Sequence, residues 1–255
     1  MTHPRQGPQR FTGRAGDYAR NRPGYPLEAV QWLIDEFGLS PDRSVAELGS
    51  GTGIWTERLL EVGCSVWAVE PNAEMRGEAE RRFADRRRFT SVAGSAEATT
   101  LPDRCADFVC AAQAIHWFVI PAAIDEIRRI AKPGAPVAIL ANDRRSTGTP
   151  FLEDYEDLLE RRCAEYETIR RRERDRSRLR EILGEDYRSQ AFINRHDLDA
   201  DGLLGLARSA SYAPPPNHPE HAPFHAELRA IFAERQREGR VTVEYFTWVF
   251  AARGS

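Results

Sequence analysis

The sequence predicts a doubly wound α/β fold with a mostly parallel sheet and an added helical lid. Three observations predict it. Apolar strands alternate with amphipathic helices between residues 44 and 141. The strands are nearly continuous apolar runs, as when helices cover both faces of a parallel sheet. The first strand runs into three glycines at alternate positions, Gly49, Gly51 and Gly53.

The elements follow in order. Residues 1–26 carry Pro4, Pro8, Pro23 and Pro26 with little periodicity and read as an irregular arm. "PLEAVQWLIDEFGL" puts Leu27, Val30, Leu33, Ile34 and Phe37 on one helical face and stops at Gly38. "SVAELG" and "CSVWAVE" are strands, with the helix "TGIWTERLLEVG" between them. "NAEMRGEAERRFA" is a helix capped by Asn72. "RFTSVAG", "ADFVCAAQA" and "APVAILAN" are further strands, and "PAAIDEIRRIAKPG" is the helix before the last of them. Residues 27–142 thus form the core. Residues 143–240 are too long for a simple crossover and read as a substrate lid with a returning strand, starting with one long charged helical stretch. "APPPNHPEHAPF" reads as a proline-rich loop, and residues 241–255 as the final strand, dense in β-branched and aromatic residues.

Composition narrows the partners. The net charge of −3 gives no general attraction to nucleic acid. No apolar run approaches the roughly 20 residues that span a bilayer, and the polar N-terminus lacks a signal-peptide core, so a cytoplasmic protein is expected. Cys64, Cys105, Cys110 and Cys163 read as reduced thiols. Lys132 is the only lysine; arginine-biased codon usage explains that most simply.

The glycine loop lies where doubly wound sheets bind ligands, beyond the carboxyl ends of the strands. It does not match the dinucleotide pattern, because Ile54 stands where G-x-G-x-x-G needs its last glycine. It has no lysine, so it is not a triphosphate loop either. Glu70 ends the second strand about 20 residues on, the spacing of a carboxylate that accepts from ribose hydroxyls. Loop and acid together read as a nucleoside site without a diphosphate.

"VAELGSGTG", "VWAVEPNAEM", "GSAEATTLPDRCADFVCAAQAIHWF" and "EIRRIAKPGAPVAIL" resemble successive motifs of class I S-adenosylmethionine-dependent methyltransferases, over residues 43–141. "DYARNRPGYP", "AQAIHWF" and "ARSASYAP" are similar to the type 11, trans-aconitate methyltransferase-like branch, which extends the likeness loosely over most of the chain. Ser50, where many relatives carry another small residue, and "KPGA" in place of "KPGG" depart from the pattern without damaging the cofactor site. The resemblance implies a seven-stranded Rossmann-like sheet, S-adenosylmethionine as cofactor and a small-molecule methyl acceptor. It implies that Gly49, Ser50, Gly51 and Gly53 pass beneath the methionine part, with Glu47 near its amino group and Glu70 on the ribose. Pro71 and Met75 would pack on the adenine, and Ser95 and Ala96 would meet its edge. Gln113 would face the methionine or the sulfonium. Tyr18 and Arg22 would close over the cofactor, Arg22 pairing with its carboxylate.

His116 follows the fourth strand, where a transferred methyl group would emerge. It is the candidate base for a hydroxyl acceptor, against a packing role. Trp117, Phe118 and Tyr212 are candidate pocket walls. The reaction expected is methyl transfer to oxygen, a carboxylate or a hydroxyl, with carbon methylation of a natural-product scaffold as the alternative and RNA methylation as a third. Three other motifs are set aside. "HPEHAPFH" offers His218, His221 and His225 but no supporting cysteine for a metal. "DLDADG" begins like a calcium loop, yet its twelfth position is Arg208 rather than glutamate. "RRRERDRSRLR" interleaves acids with its arginines and reads as a solvated helical face rather than a nucleic-acid stripe.

Overall fold

A computed structural model describes residues 12–254; residues 1–11 of the expected arm, with Pro4 and Pro8, lie outside them. Seven strands form one sheet in the order β3-β2-β1-β4-β5-β7-β6. These are β1 (Ser44–Leu48), β2 (Ser65–Val69), β3 (Phe89–Val92), β4 (Phe108–Ala112), β5 (Pro136–Arg144), β6 (Arg188–Leu198) and β7 (Val241–Arg253). The first five strands pair in parallel, and β7 runs antiparallel between β5 and β6. Strand order reverses between β1 and β4, and that switch point opens a crevice at their carboxyl ends.

The period-2 alternation of the strands feeds two cores. Val45, Val66, Phe108, Ala138 and Leu140 face α2 (Leu27–Phe37) and α3 (Ile54–Val62). Their neighbours Ala46, Val109, Val137 and Ile139 face α5 (Ile120–Ile130) and α8 (Ser177–Leu183) on the other side. A third core belongs to the lid. In it α6 (Pro150–Arg162), α9 (Ala200–Ser209) and α10 (His221–Arg235) pack on Val241, Val243 and Tyr245, the first half of β7. One 13-residue strand therefore joins lid and sheet.

The structure departs from the sequence reading at three places. The arm is not wholly irregular, since α1 (Ala15–Asn21) forms and docks on α9. Gly205 makes room for it, because a Cβ there would collide with the Asn21 side chain. Asp17 pairs with Arg208 at 2.8 Å, and the Arg14 guanidinium donates to the Ala213 carbonyl at 3.0 Å. The long charged stretch is three helices, not one. The chain turns extended at Cys163 before α7 (Tyr166–Arg174). It breaks again at Asp175, whose carboxylate accepts from the Ser177 backbone N–H at 3.0 Å, a local bond that competes with the helix. Last, the expected proline-rich loop is helical from His221 onward, as α10. There the His221 Nδ1–H donates to the Pro214 carbonyl at 2.9 Å, and its ring meets that of His225 edge-on. Among the described residues no group of His, Cys, Asp and Glu comes together that could hold a metal ion, and no helix is long and apolar enough to cross a membrane. All four cysteines are free thiols.

Candidate cofactor and acceptor site

A cavity of about 750 Å³ opens at the switch point. It is bounded by the loops after β1, β2, β3 and β4, by α1, and by α7 and α9 of the lid.

The loop after β1 is pinned before it reaches the cavity. The Gly49 and Ser50 N–H groups both donate to the Val69 carbonyl, at 2.8 and 3.0 Å. The three glycines then do different work. A Cβ on Gly49 would stand 2.7 Å from the Ala114 Cβ, so this glycine admits the loop after β4. Gly53 does not line the cavity, contrary to the expectation. It starts α3 at φ +84°, and a Cβ there would strike the Phe83 ring. Gly51 lines the cavity with Gly49 and Ser50, at φ +59°, with only the flexible end of Met75 near its missing Cβ.

Glu70 closes the nucleoside end. One carboxylate oxygen accepts from the Gly51 N–H at 2.9 Å and the other from the Asn72 N–H at 2.8 Å. Asn72 in turn caps α4 (Ala73–Arg82), accepting from the Glu74 and Met75 N–H groups. A carboxylate offers about four lone-pair sites, so each Glu70 oxygen keeps acceptor capacity toward the cavity. Burial raises its pKa, and the two backbone donors oppose that. Pro71, Met75 and Ser95 line the same end. Ala96 does not, being buried behind Ser95.

Glu47 lies deeper, 1% exposed, and the Thr56 hydroxyl donates to it at 2.5 Å. Burial, with the neighbouring Glu70 charge, pushes its pKa up to about 8. Gln113, after β4, sits at φ +53°, a conformation side chains rarely adopt, and its Nε2 donates to the Asn142 carbonyl at 3.1 Å. Tyr18 and Arg22 of the arm line the cavity from above, and Arg22 is fixed by its Nε donating to the Ser209 hydroxyl at 2.8 Å. Trp117, Phe118 and Tyr212 are wall residues.

His116 is not. Its ring is buried beside Trp117, outside the cavity surface. Burial, with the charges of Arg172, Arg178 and Arg22, pushes its pKa down to about 3. So weak a base, with no face on the cavity, is ill placed to take an acceptor's proton.

The far half of the cavity was not read from the sequence. Tyr155, Tyr166, Tyr245, Trp248 and Phe250 wall it with Arg144 and Arg170. Tyr166 donates to Glu156 at 2.8 Å and accepts from Arg144 at 2.6 Å and Arg170 at 3.0 Å. Both arginines also ion-pair with Glu156. Arg176 stacks over Trp248, 4.3 Å from its centroid. The stretch "RRRERDRSRLR", taken for a solvated face, in fact presents Arg170, Glu173, Arg174 and Arg176 to the cavity.

Fold and site together define a doubly wound α/β domain whose pocket at the switch point runs on into an aromatic-lined chamber under the lid. Residues 46–139 match the family described as "Methyltransferase domain". An uncharacterized methyltransferase of Schizosaccharomyces pombe is 34% identical over 152 residues, covering 59% of each chain. One of Mycobacterium tuberculosis is 38% identical over 134 residues, covering 52% of each. The chain thus spans little more than half the length of these relatives. Two solved structures match across 91% of the chain. A putative type II methyltransferase from Anaeromyxobacter dehalogenans has a TM-score of 0.62, 24% identity and 97% of its own chain covered. A putative methyltransferase from an antibiotic biosynthesis pathway of Anabaena variabilis has 0.63, 22% and 98%. At those identities they establish the fold. The chain is thus similar to methyltransferases, and residues 46–139 match their domain family. The matches reach that class and stop short of the narrower trans-aconitate branch.

Proposed function

We propose that the protein transfers a methyl group from S-adenosylmethionine to an oxygen of a small-molecule acceptor. One observation carries the reading: a carboxylate at the end of β2 and a bare glycine backbone after β1 face one cavity that continues into the lid. The residues suit the cofactor. The free lone pairs of Glu70 match two ribose hydroxyls, and the open space over Gly51 is where a Cβ would fill the cradle. Pro71 and Met75 would pack on the adenine with Ser95 at its edge. Glu47 would receive the ammonium, Arg22 the carboxylate, and Gln113 would face the sulfonium. Gly49 and Ser50 would lie beneath the cofactor with Gly51, and Gly53 and Ala96 would support this cradle from behind. The cofactor supplies an electrophilic methyl carbon. The protein's own work is to hold the acceptor in line with that carbon, exclude water and accept any proton released.

The test is calorimetry with S-adenosylhomocysteine and with NAD. Tight binding of the first, weak binding of the second and at least a tenfold loss in Glu70→Ala are expected, since a hydrogen bond to a charged group is worth about 1.5–3 kcal/mol. Tight NAD binding without S-adenosylhomocysteine binding would sink the proposal.

A further inference from the structure

The far half of the cavity holds a buried cluster with more positive than negative charge. Arg144 on β5 and Arg170 on α7 both line the cavity and share one carboxylate, that of Glu156 on α6. The Tyr166 hydroxyl ties the three together. It donates to Glu156 at 2.8 Å and accepts from Arg144 at 2.6 Å and from Arg170 at 3.0 Å. Burial raises the pKa of this phenol, so it stays neutral. The nearest other acid, Asp143, is already taken by Arg174, whose Nε and Nη2 donate to it at 3.0 and 2.8 Å. Two guanidiniums thus face one carboxylate, an excess of one positive charge.

The excess is shielded from water. The side chains of Arg144, Arg170 and Glu156 are 12%, 14% and 11% exposed. Glu173 and Arg176, on the same wall, are exposed, so solvent screens their charges. Burial, with the charges of Arg174 and Arg144, pushes the Arg170 pKa down to about 10, against the pull of Asp143. A buried charge short of counter-charge is costly, and an anion in the cavity would supply what is missing.

The surroundings indicate which anion. The Arg144 guanidinium lies over the Tyr155 ring, 4.9 Å from its centroid, and Arg170 lies over that of Tyr166 at 5.5 Å. Tyr212 meets Tyr166 edge-on at 4.9 Å, and Tyr245 pairs with Arg144 across β5 and β7. Such rings suit a flat aromatic body. Guanidiniums suit a carboxylate, which they meet in a planar fork. A carboxylate also cancels a single charge, whereas a phosphate monoester, at about −1.5 to −2, overshoots it.

We propose that Arg144 and Arg170 form the anchoring subsite of the methyl acceptor and that this acceptor is an aromatic carboxylic acid, bound as its anion. Glu156 and Tyr166 are positioning residues, which fix the two guanidiniums and limit their excess to one charge. This rests on the methyl-transfer reading.

The experiment measures benzoate against benzamide, its neutral counterpart, by calorimetry at pH 7 in the presence of S-adenosylhomocysteine. The wild type should bind benzoate more tightly by about tenfold or more. Arg170→Gln leaves one guanidinium to one carboxylate and should lose that preference. Arg170→Lys keeps the charge without the fork and should keep part of it. Glu156→Gln raises the excess to two charges and should bind benzoate more tightly than the wild type does, with benzamide unchanged. A merely structural cluster would do the reverse, since breaking it would weaken both probes alike. S-adenosylhomocysteine affinity should be the same in all four proteins, which shows that each is folded; should Glu156→Gln fail that check, the two Arg170 variants decide. Selective benzoate binding by a wild type that does not bind S-adenosylhomocysteine would refute the methyl-transfer reading rather than the anion subsite. Equal affinity for the two probes, binding of neither, an undiminished preference in Arg170→Gln, or weaker benzoate binding by a folded Glu156→Gln overturns the proposal.

Discussion

At pH 7, Glu47 should give up a proton when S-adenosylhomocysteine binds. In the free protein it is 1% exposed, and among the described residues the Thr56 hydroxyl is its sole hydrogen-bond donor. Its pKa of about 8 leaves it about 0.9 protonated at pH 7. An ammonium brought beside it stabilises the ionised form, so binding should release about 0.9 proton, falling to about 0.1 at pH 9. Calorimetry in two buffers of different ionisation enthalpy reads this number directly. Glu47→Gln should release none. The same shift has a stability consequence with a definite sign. The folded-state pKa lies above the ordinary 4.5, so the group's contribution is fully present below pH 4.5 and is lost as pH rises through 8. At about 1.4 kcal/mol per unit of pKa difference, the loss is on the order of a few kcal/mol. Glu47→Gln should therefore melt above the wild type at pH 8, with the gap closing toward pH 4. No proton release in the wild type, or equal release in Glu47→Gln, would refute the reasoning.

Three shorter predictions separate the roles of neighbouring residues. Gly51→Val should cost at least tenfold in S-adenosylhomocysteine affinity while circular dichroism is unchanged, because the strain at φ +59° and the added bulk both fall on the cradle. Gly53→Ala should instead lower the melting temperature by a few degrees, the equivalent of about 1–3 kcal/mol, through its collision with Phe83. His116→Asn should leave the pH profile of turnover between pH 5 and 8 unchanged, since an imidazole with a pKa of about 3 does not titrate there; a lost acidic limb would restore it as a base.

The core of the fold was legible because its signals are local and periodic. β1 and β2 announce themselves as apolar runs, and Asn72 caps the helix its position predicted. Gly51 and Glu70 were legible together, since strand-end spacing alone brings them to one crevice. Gly53 was misassigned to the ligand because a sequence cannot tell a glycine that faces a cavity from one that faces Phe83. The arm hid α1 because this helix is held by partners almost two hundred residues away, such as Arg208 on Asp17, rather than by its own propensity.

The lid was harder to read for a different reason, and the arginine stretch shows it. In α7 the buried residues are Tyr166 and Ile169, and Glu173 follows them at helical spacing, exposed but on the cavity wall. A rule that places apolar residues inside stops at Ile169 and counts Glu173 as solvent-facing. The stripe does continue inward, but past Ile169 it faces an internal cavity rather than a packed core. There a charged side chain can line the wall and stay exposed. Periodicity could have found Glu173 only if charge were allowed on an inward face. The same allowance brings Arg170, one residue after Ile169, onto that wall, where Tyr166 and Glu156 meet it. Of those two charges, Arg170 is held by Tyr166 and Glu156, whereas Glu173 stands exposed on the cavity wall.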